Sequence, residues 1–237
     1  MHIAVFGANG AIGAGFLREL RKRHPDGVIQ AVARGALEHD DPLTRPHRVD
    51  PADETALERT ADRIAHAGPL DMVLIATGML HGPGHRPEKA LRDVSAESLH
   101  ELFHVNTVLP ALILKHMAPL LHRKERAVAA ALSARVGSIG DNRLGGWYAY
   151  RASKAALNMV IRNAAIETAR RNPQAVIVGL HPGTVASDLS APFQSGVAAG
   201  KLFTPDFSAA ALLDVLDGLG PQDSGGCFAW DGAPVPA

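Results

Sequence analysis

The sequence predicts an α/β protein: one doubly wound parallel sheet in three layers, α/β/α, built as a single domain from 237 residues. Three observations predict it. The chain opens on an apolar run, MHIAVF, that breaks into glycines and then a helical pattern. Short apolar runs thereafter alternate with longer amphipathic stretches, the β-α-β order that a parallel sheet requires. No solenoid-length repeat, low-complexity tract or linker divides the chain.

Each element follows in order. MHIAVF is a buried strand and GAGFLRELRKRH a helix, stopped by HPDG; VIQAVARG is a second strand and PHRVD the tail of a third. ADETALERTADRIAHAG is a helix whose first turn carries Asp53 and Glu54, favourable at the positive end of the helix dipole, with Gly68 beyond its end. LDMVLIATG is a fourth strand. The run SAESLHELFHVNTVLPALILKHMAPLL reads as one long helix with a Ser cap. AVAAALS is a fifth strand, RASKAALNMVIRNAAIETARRN a second long helix, and AVIVGLHPG a sixth strand stopped by Pro182 and Gly183. Between Leu189 and Pro205 no period is evident; small residues with Pro192, Gly196 and Gly200 predict a flap of the kind that covers sites. SAAALLDVLDGL is the last helix and GGCFAWDG a closing strand.

Composition narrows the partners. Lys and Arg number 24, as do Asp and Glu, so no net basic field gathers nucleic acid or an anionic membrane; a small molecule is the expected partner. The lone Cys227 forms no internal disulfide, no secretory pattern opens the chain, and no apolar run approaches the ~18 residues of a span, so a soluble cytoplasmic protein is expected. Twelve histidines invite a metal reading, but His81 and His85 are separated by Gly82, Pro83 and Gly84, which disfavour a helical pair, and no ligand set completes them. No metal is expected. GxSxG is absent, which argues against a nucleophile-elbow hydrolase.

Gly7, Gly10 and Gly13, with Asn9, Ala11 and Ile12 among them, lie between first strand and first helix, where missing side chains let a pyrophosphate approach the backbone and the helix N-terminus. A turn serving packing alone is the other reading. The second strand ends Val32-Ala33-Arg34, with no acid to accept from a ribose and repel a 2′-phosphate; Arg34 offers a cationic fork instead, favouring NADP(H) over NAD(H), which stays possible. Asp50 either accepts from an adenine amino group or caps the next helix. In GGWYAYRASKAAL, Tyr150 and Lys154 stand four apart, on one helix face, and an ammonium within about 4–6 Å of a phenol favours the phenolate.

Gly7 to Gly13, Ala76-Thr77-Gly78, Asn106, the Tyr150–Lys154 pair and Pro182-Gly183 follow the order of the short-chain dehydrogenase/reductase family, which the chain resembles over nearly its whole length. SARVGSIGDN, HPGTVASDLSAPFQ and FAWDG resemble its carbonyl-reductase-like branch, which includes bacterial C-factor-type proteins. The resemblance implies a Rossmann-type fold and an oxidoreductase passing hydride between NADPH and a small carbonyl or alcohol, Tyr150 moving the proton, Lys154 lowering its pKa and holding the nicotinamide ribose, and Asn106 kinking its helix and holding a water. It implies Ala76, Thr77, Gly78, Pro182, Gly183, Thr184, Val185 and Ser187 as cofactor contacts, and pairing into homodimers or homotetramers. One departure stands out: the usual two serines after the fifth strand are Ser133-Ala134 here, leaving Ser133 or Ser138 to orient the substrate. Trp147 and Phe193 either wall an apolar pocket or fill core. A low-turnover dinucleotide-binding sensor is the rival from another class; an extended-family epimerase or lyase, suggested by the glycine spacing, normally carries a larger C-terminal domain.

Overall fold

The computed structural model describes residues 1–37, 41–82, 86–198 and 200–237. In chain order its strands are β1 (His2–Phe6), β2 (Val28–Ala33), β3 (Thr44–Arg48), β4 (Met72–Ile75), β5 (Ala127–Leu132), β6 (Ala175–His181), β7 (Thr184–Val185), β8 (Leu202–Phe203) and β9 (Cys227–Ala229). The main helices are α1 (Ala11–Arg23), α2 (Glu54–Ala65), α3 (Ala96–Phe103), α4 (Leu109–Met117), α5 (Tyr148–Ala169) and α6 (Pro205–Gly218). Seven strands form one sheet in the order β3-β2-β1-β4-β5-β6-β9, parallel throughout. From β1 the chain builds outward first through β2 and β3, then in the other direction from β4. That switch opens a crevice above the strand ends, the place where such sheets hold ligands.

Strand alternation sorts the two cores. Ala4 and Phe6 of β1 face α2, α4 and α5, where Leu57, Ile64, Ile113, Leu157 and Ile161 are buried. Ile3 and Val5 face the other way, onto Phe16 and Leu20 of α1 and Leu212 and Leu216 of α6. Each fully buried aliphatic side chain contributes ~1.5–3 kcal/mol, so both faces hold the sheet rigid beneath the crevice.

Four boundaries differ from expectation. β3 starts at Thr44, pairing along β2 as an edge strand, and α5 starts at Tyr148. The run after Ser95 is not one helix: Ser95 caps α3 by accepting from Ser98 N–H, but a π-helical turn, His104–Val108, separates α3 from α4, and a 3-10 turn follows α4. Pro110 has no N–H to return to the Asn106 carbonyl, so the ladder re-forms with the wider bond from Leu109 N–H to His104 O. The stretch taken as an aperiodic flap contains a 3-10 helix, Ala191–Gly196, and β8, which pairs with β7. The far part of that stretch is thereby tied back to the strand that precedes it.

Candidate active site

A cavity of about 520 Å³ occupies the crevice, running from the turn before α1, past the ends of β4, β5 and β6, to the Tyr150 face of α5 and the segment after β7. At the α1 end its wall is Asn9, Gly10, Ala11 and Ile12. Gly7 and Gly13 are absent from that wall and build it from behind: Gly7 has φ +74°, and a Cβ on Gly13 would stand 2.1 Å from the Gly7 carbonyl oxygen. Only a bare backbone lets the helix begin so close to the strand. The N-terminus of α1 has neither a capping side chain nor an acid in its first turn. Thr77 Oγ1, also in the wall, is buried without a protein partner. Unsatisfied amides and an orphan hydroxyl at one end of a crevice fit the anionic part of a dinucleotide.

Ala76, Gly78, Pro182, Gly183, Thr184, Val185 and Ser187 line the same cavity. Arg34 and Asp50 do not. Arg34 is exposed just past β2, its carbonyl accepting from Arg48 Nε, so two guanidinium groups mark this edge where sequence reading named one. Asp50 accepts from Ala52 N–H in the turn before α2, and Asp53 is the helix cap.

At the other end Tyr150 is 9% and Lys154 2% exposed. Lys154 Nζ donates to the Leu132 carbonyl at 2.8 Å and lies 5.9 Å from the centre of the Tyr150 ring. Burial dominates both groups, pushing the phenol up to about 12 and the ammonium down to about 8. The phenol is thus raised by burial, where the sequence led to the expectation of one lowered by its neighbour. Asn106 is fully buried in the π turn, outside the cavity wall; its amide donates to Met79 O and Ser153 Oγ and accepts from Met79 N–H. A Cβ on Gly78 would stand 3.7 Å from Asn106 Oδ1 and 3.8 Å from Lys154 Nζ, so the loop after β4 brings these groups together.

The two serines are both engaged. Ser133 lies in the wall, but its hydroxyl donates to Asn158 Oδ1 of α5 at 2.6 Å. Ser138 does not reach the cavity, contrary to expectation: its hydroxyl accepts from Asp141 N–H and donates to the Ala237 carbonyl, because the 3-10 turn Arg135–Gly137 carries it away. Ala134 stands in the wall, packed with Tyr150. Beside them Trp147 adopts a left-handed backbone, φ 52°, its ring 6.2 Å from that of Tyr150 and 5.1 Å from Phe193, which makes both pocket walls. Tyr148 is 38% exposed and outside the wall.

Sequence reading gave no role to His181, whose Nδ1 is buried without a partner and whose pKa burial pushes down to about 4, nor to Glu88, buried beside the start of α5. Glu88 carries no periodic or motif signal, while His181 opens the HPGTVASDLSAPFQ stretch without being singled out there. His81 Nε2 lies 3.1 Å from the Asp188 and Leu189 carbonyl oxygens; His85 lies outside the described residues. Among the described residues no three His, Cys, Asp or Glu side chains gather as metal ligands, and no helix is long and apolar enough to cross a membrane.

The family model for short chain dehydrogenase matches residues 1–198. The 1-hydroxy-2-glutathionyl-2-methyl-3-butene dehydrogenase of Rhodococcus sp. (strain AD45) is 30% identical over 224 residues, 94% of this chain and 93% of that protein. The C-signal protein of Myxococcus xanthus is 38% identical over 62% of this chain and 83% of its own length. Among solved structures, the NADPH-bound carbonyl reductase from chicken fatty liver superposes with a TM-score of 0.86 at 23% identity, covering 100% of this chain and 98% of its own. The carbonyl reductase Sniffer of D. melanogaster gives 0.84 at 22%, covering 100% and 99%.

Proposed function

We propose that this chain, which belongs to the short-chain dehydrogenase family, is an NADP(H)-linked oxidoreductase that reduces a small aldehyde, ketone or quinone. The observation that carries the reading is the placement of Tyr150 and Lys154, one turn apart on α5, against a cavity whose far end is the uncapped start of α1. Gly10 to Ile12 and Thr77 would hold the pyrophosphate side of a dinucleotide, and Pro182 to Val185 with Ser187 its carboxamide end. Arg34, with Arg48 beside it and no acid between Ala33 and Leu37, supports a 2′-phosphate and hence NADP(H). A reduced nicotinamide held there would supply the hydride.

Tyr150 does the proton chemistry in this reading. A phenol held near 12 stays protonated at neutral pH and is a proton donor to the substrate oxygen as negative charge develops there. The Lys154 ammonium, charged below about 8, stabilises the phenolate left behind and holds the ribose. Asn106 fixes the loop after β4 against α5 through Met79 and Ser153. Trp147, Phe193, Leu80 and Leu189 give the substrate end an apolar wall that excludes water, with residues 189–205 acting as the lid and His81 contacting its start. Apolar aldehydes, ketones and quinones therefore suit it better than anionic ones. The exposed Val108, Met159 and Ile166 on the outer sides of the α4–α5 region support self-association.

Replacing Tyr150 by Phe tests the reading. NADPH affinity, read by fluorescence titration, is expected unchanged, while NADPH oxidation with an accepted carbonyl falls by about 10²-fold or more. Undiminished turnover refutes the assignment. A second reading, a dinucleotide-binding signalling or sensor protein with little turnover, is favoured by Ala134 in the wall, by both serine hydroxyls being engaged, and by the C-signal relative. Tight NADPH binding without oxidation across a diverse carbonyl panel would favour it.

A further inference from the structure

We propose that Glu88 is a positioning residue for the Tyr150 reaction: it clasps the first turn of α5 and so holds the phenol on its bearing to the cavity. Glu88 is 4% exposed, a buried acid with no part in the chemistry above. Its backbone carbonyl accepts from Trp147 N–H at 2.6 Å. Its carboxylate accepts from Ala149 N–H at 3.3 Å, with Ser98 Oγ of α3 donating to the other oxygen at 3.4 Å. Trp147 caps α5 without a side-chain bond and in a left-handed conformation, and the turn before it is held from within the helix by Arg151 Nε, which donates to the Gly145 and Gly146 carbonyls, and from outside by Glu88. Gly146 explains the fit: with φ +65°, a Cβ there would stand 3.2 Å from the Glu88 carbonyl oxygen. The Gly145-Gly146-Trp147 turn is thus shaped to bring the helix start down onto this one residue.

The consequence reaches Tyr150 directly, because the bonded amide belongs to the residue before it. A helix start left without partners frays, and a phenol on its first turn would lose its bearing on the cavity. A carboxyl group that accepts from an amide at the start of α5 is favourable to the helix end. The charged and titratable groups of the cavity wall are Lys154 on the same helix, Arg135 after β5, His181 at the end of β6 and Asp188 after β7, with His81 from the loop after β4 and Arg151 next along α5. Arg151 holds the carbonyls of Gly145 and Gly146, whereas Glu88 holds the Trp147 and Ala149 amides. The proposal rests on the reductase reading for its role in turnover, but not for its physical effect.

In the full-length protein amide hydrogen exchange is followed for residues 147–151, with circular dichroism confirming that each variant stays folded, and Glu88→Gln, which keeps an acceptor, serves as the conservative rescue. Glu88→Ala is expected to raise exchange at the start of α5 by tenfold or more, with Glu88→Gln recovering most of the protection. NADPH affinity is expected to hold in both, while kcat falls more than KM changes in Glu88→Ala and recovers in Glu88→Gln. Unchanged exchange in Glu88→Ala, or no recovery of protection in Glu88→Gln, overturns the proposal. Altered exchange in a protein whose parent oxidises no NADPH would leave Glu88's role standing and remove the reductase reading instead.

Discussion

At the scale of single residues, the site is decided by where hydrogen-bond donors are spent. Ser133 and Ser138 were the two candidates to orient a substrate oxygen, and each hydroxyl is committed elsewhere, to Asn158 and to the Asp141–Ala237 loop. Ala134 offers a methyl group beside the phenol in their place. Restoring the donor with Ala134→Ser is expected to raise kcat for carbonyl reduction by about tenfold or more, with NADPH affinity unchanged, by analogy with the worth of one oxyanion donor. Steady-state kinetics on the two proteins decide it; equal rates would mean that another group already fills the role. Alanine in this place was readable from the chain, whereas the fate of the two serines depended on how a 3-10 turn aimed them.

At the scale of elements, the π turn His104–Val108 is where local sequence and tertiary need meet. Asn is a poor helix residue because its amide competes for nearby backbone. Here it finds the Met79 N–H and C=O across a loop, and the missing N–H of Pro110 lets the helix widen to place it. Asn106→Ala is expected to cost about 2–4 kcal/mol, since two buried backbone groups lose their partners. Denaturant unfolding would read this as a lower midpoint, and turnover would fall with it. Helical periodicity was legible through this stretch, but its division into α3 and α4 was not: a hydrophobic pattern reports which face is buried and says little about whether a turn closes over four residues or five. The flap was legible as irregular for a related reason, and its anchoring by β7 and β8 was not, because a two-residue strand leaves no alternation to detect.

For the whole molecule, stability and assembly provide the tests. His181 sits neutral at the end of β6, its pKa pushed down to about 4 by burial. The unfolded chain takes up that proton near the usual value of about 6.5, so between about 6.5 and 4 the unfolded state binds more protons and stability falls as pH falls. The loss is expected to reach about 1–2 kcal/mol once exposure toward the cavity is allowed for. Thermal melts across this window, compared with His181→Asn, would show the added acid sensitivity disappear in the variant. Self-association, proposed from the exposed Met159 (61%) and Ile166 (46%), is expected to give a dimer or tetramer by sedimentation and a monomer in Met159→Glu/Ile166→Glu. Glycine spacing, strand and helix periods, and the Tyr150–Lys154 interval come from local sterics and period, so the chain by itself determined the layered sheet, the crevice and the placing of Tyr150 and Lys154 on one helix face. The phenol's raised pKa, the idle serines, the orphan nitrogen of His181 and the clasp of Glu88 on α5 were decided by tertiary structure alone. Desolvation and hydrogen-bond partnership depend on what lies across space, and no interval along the chain encodes that.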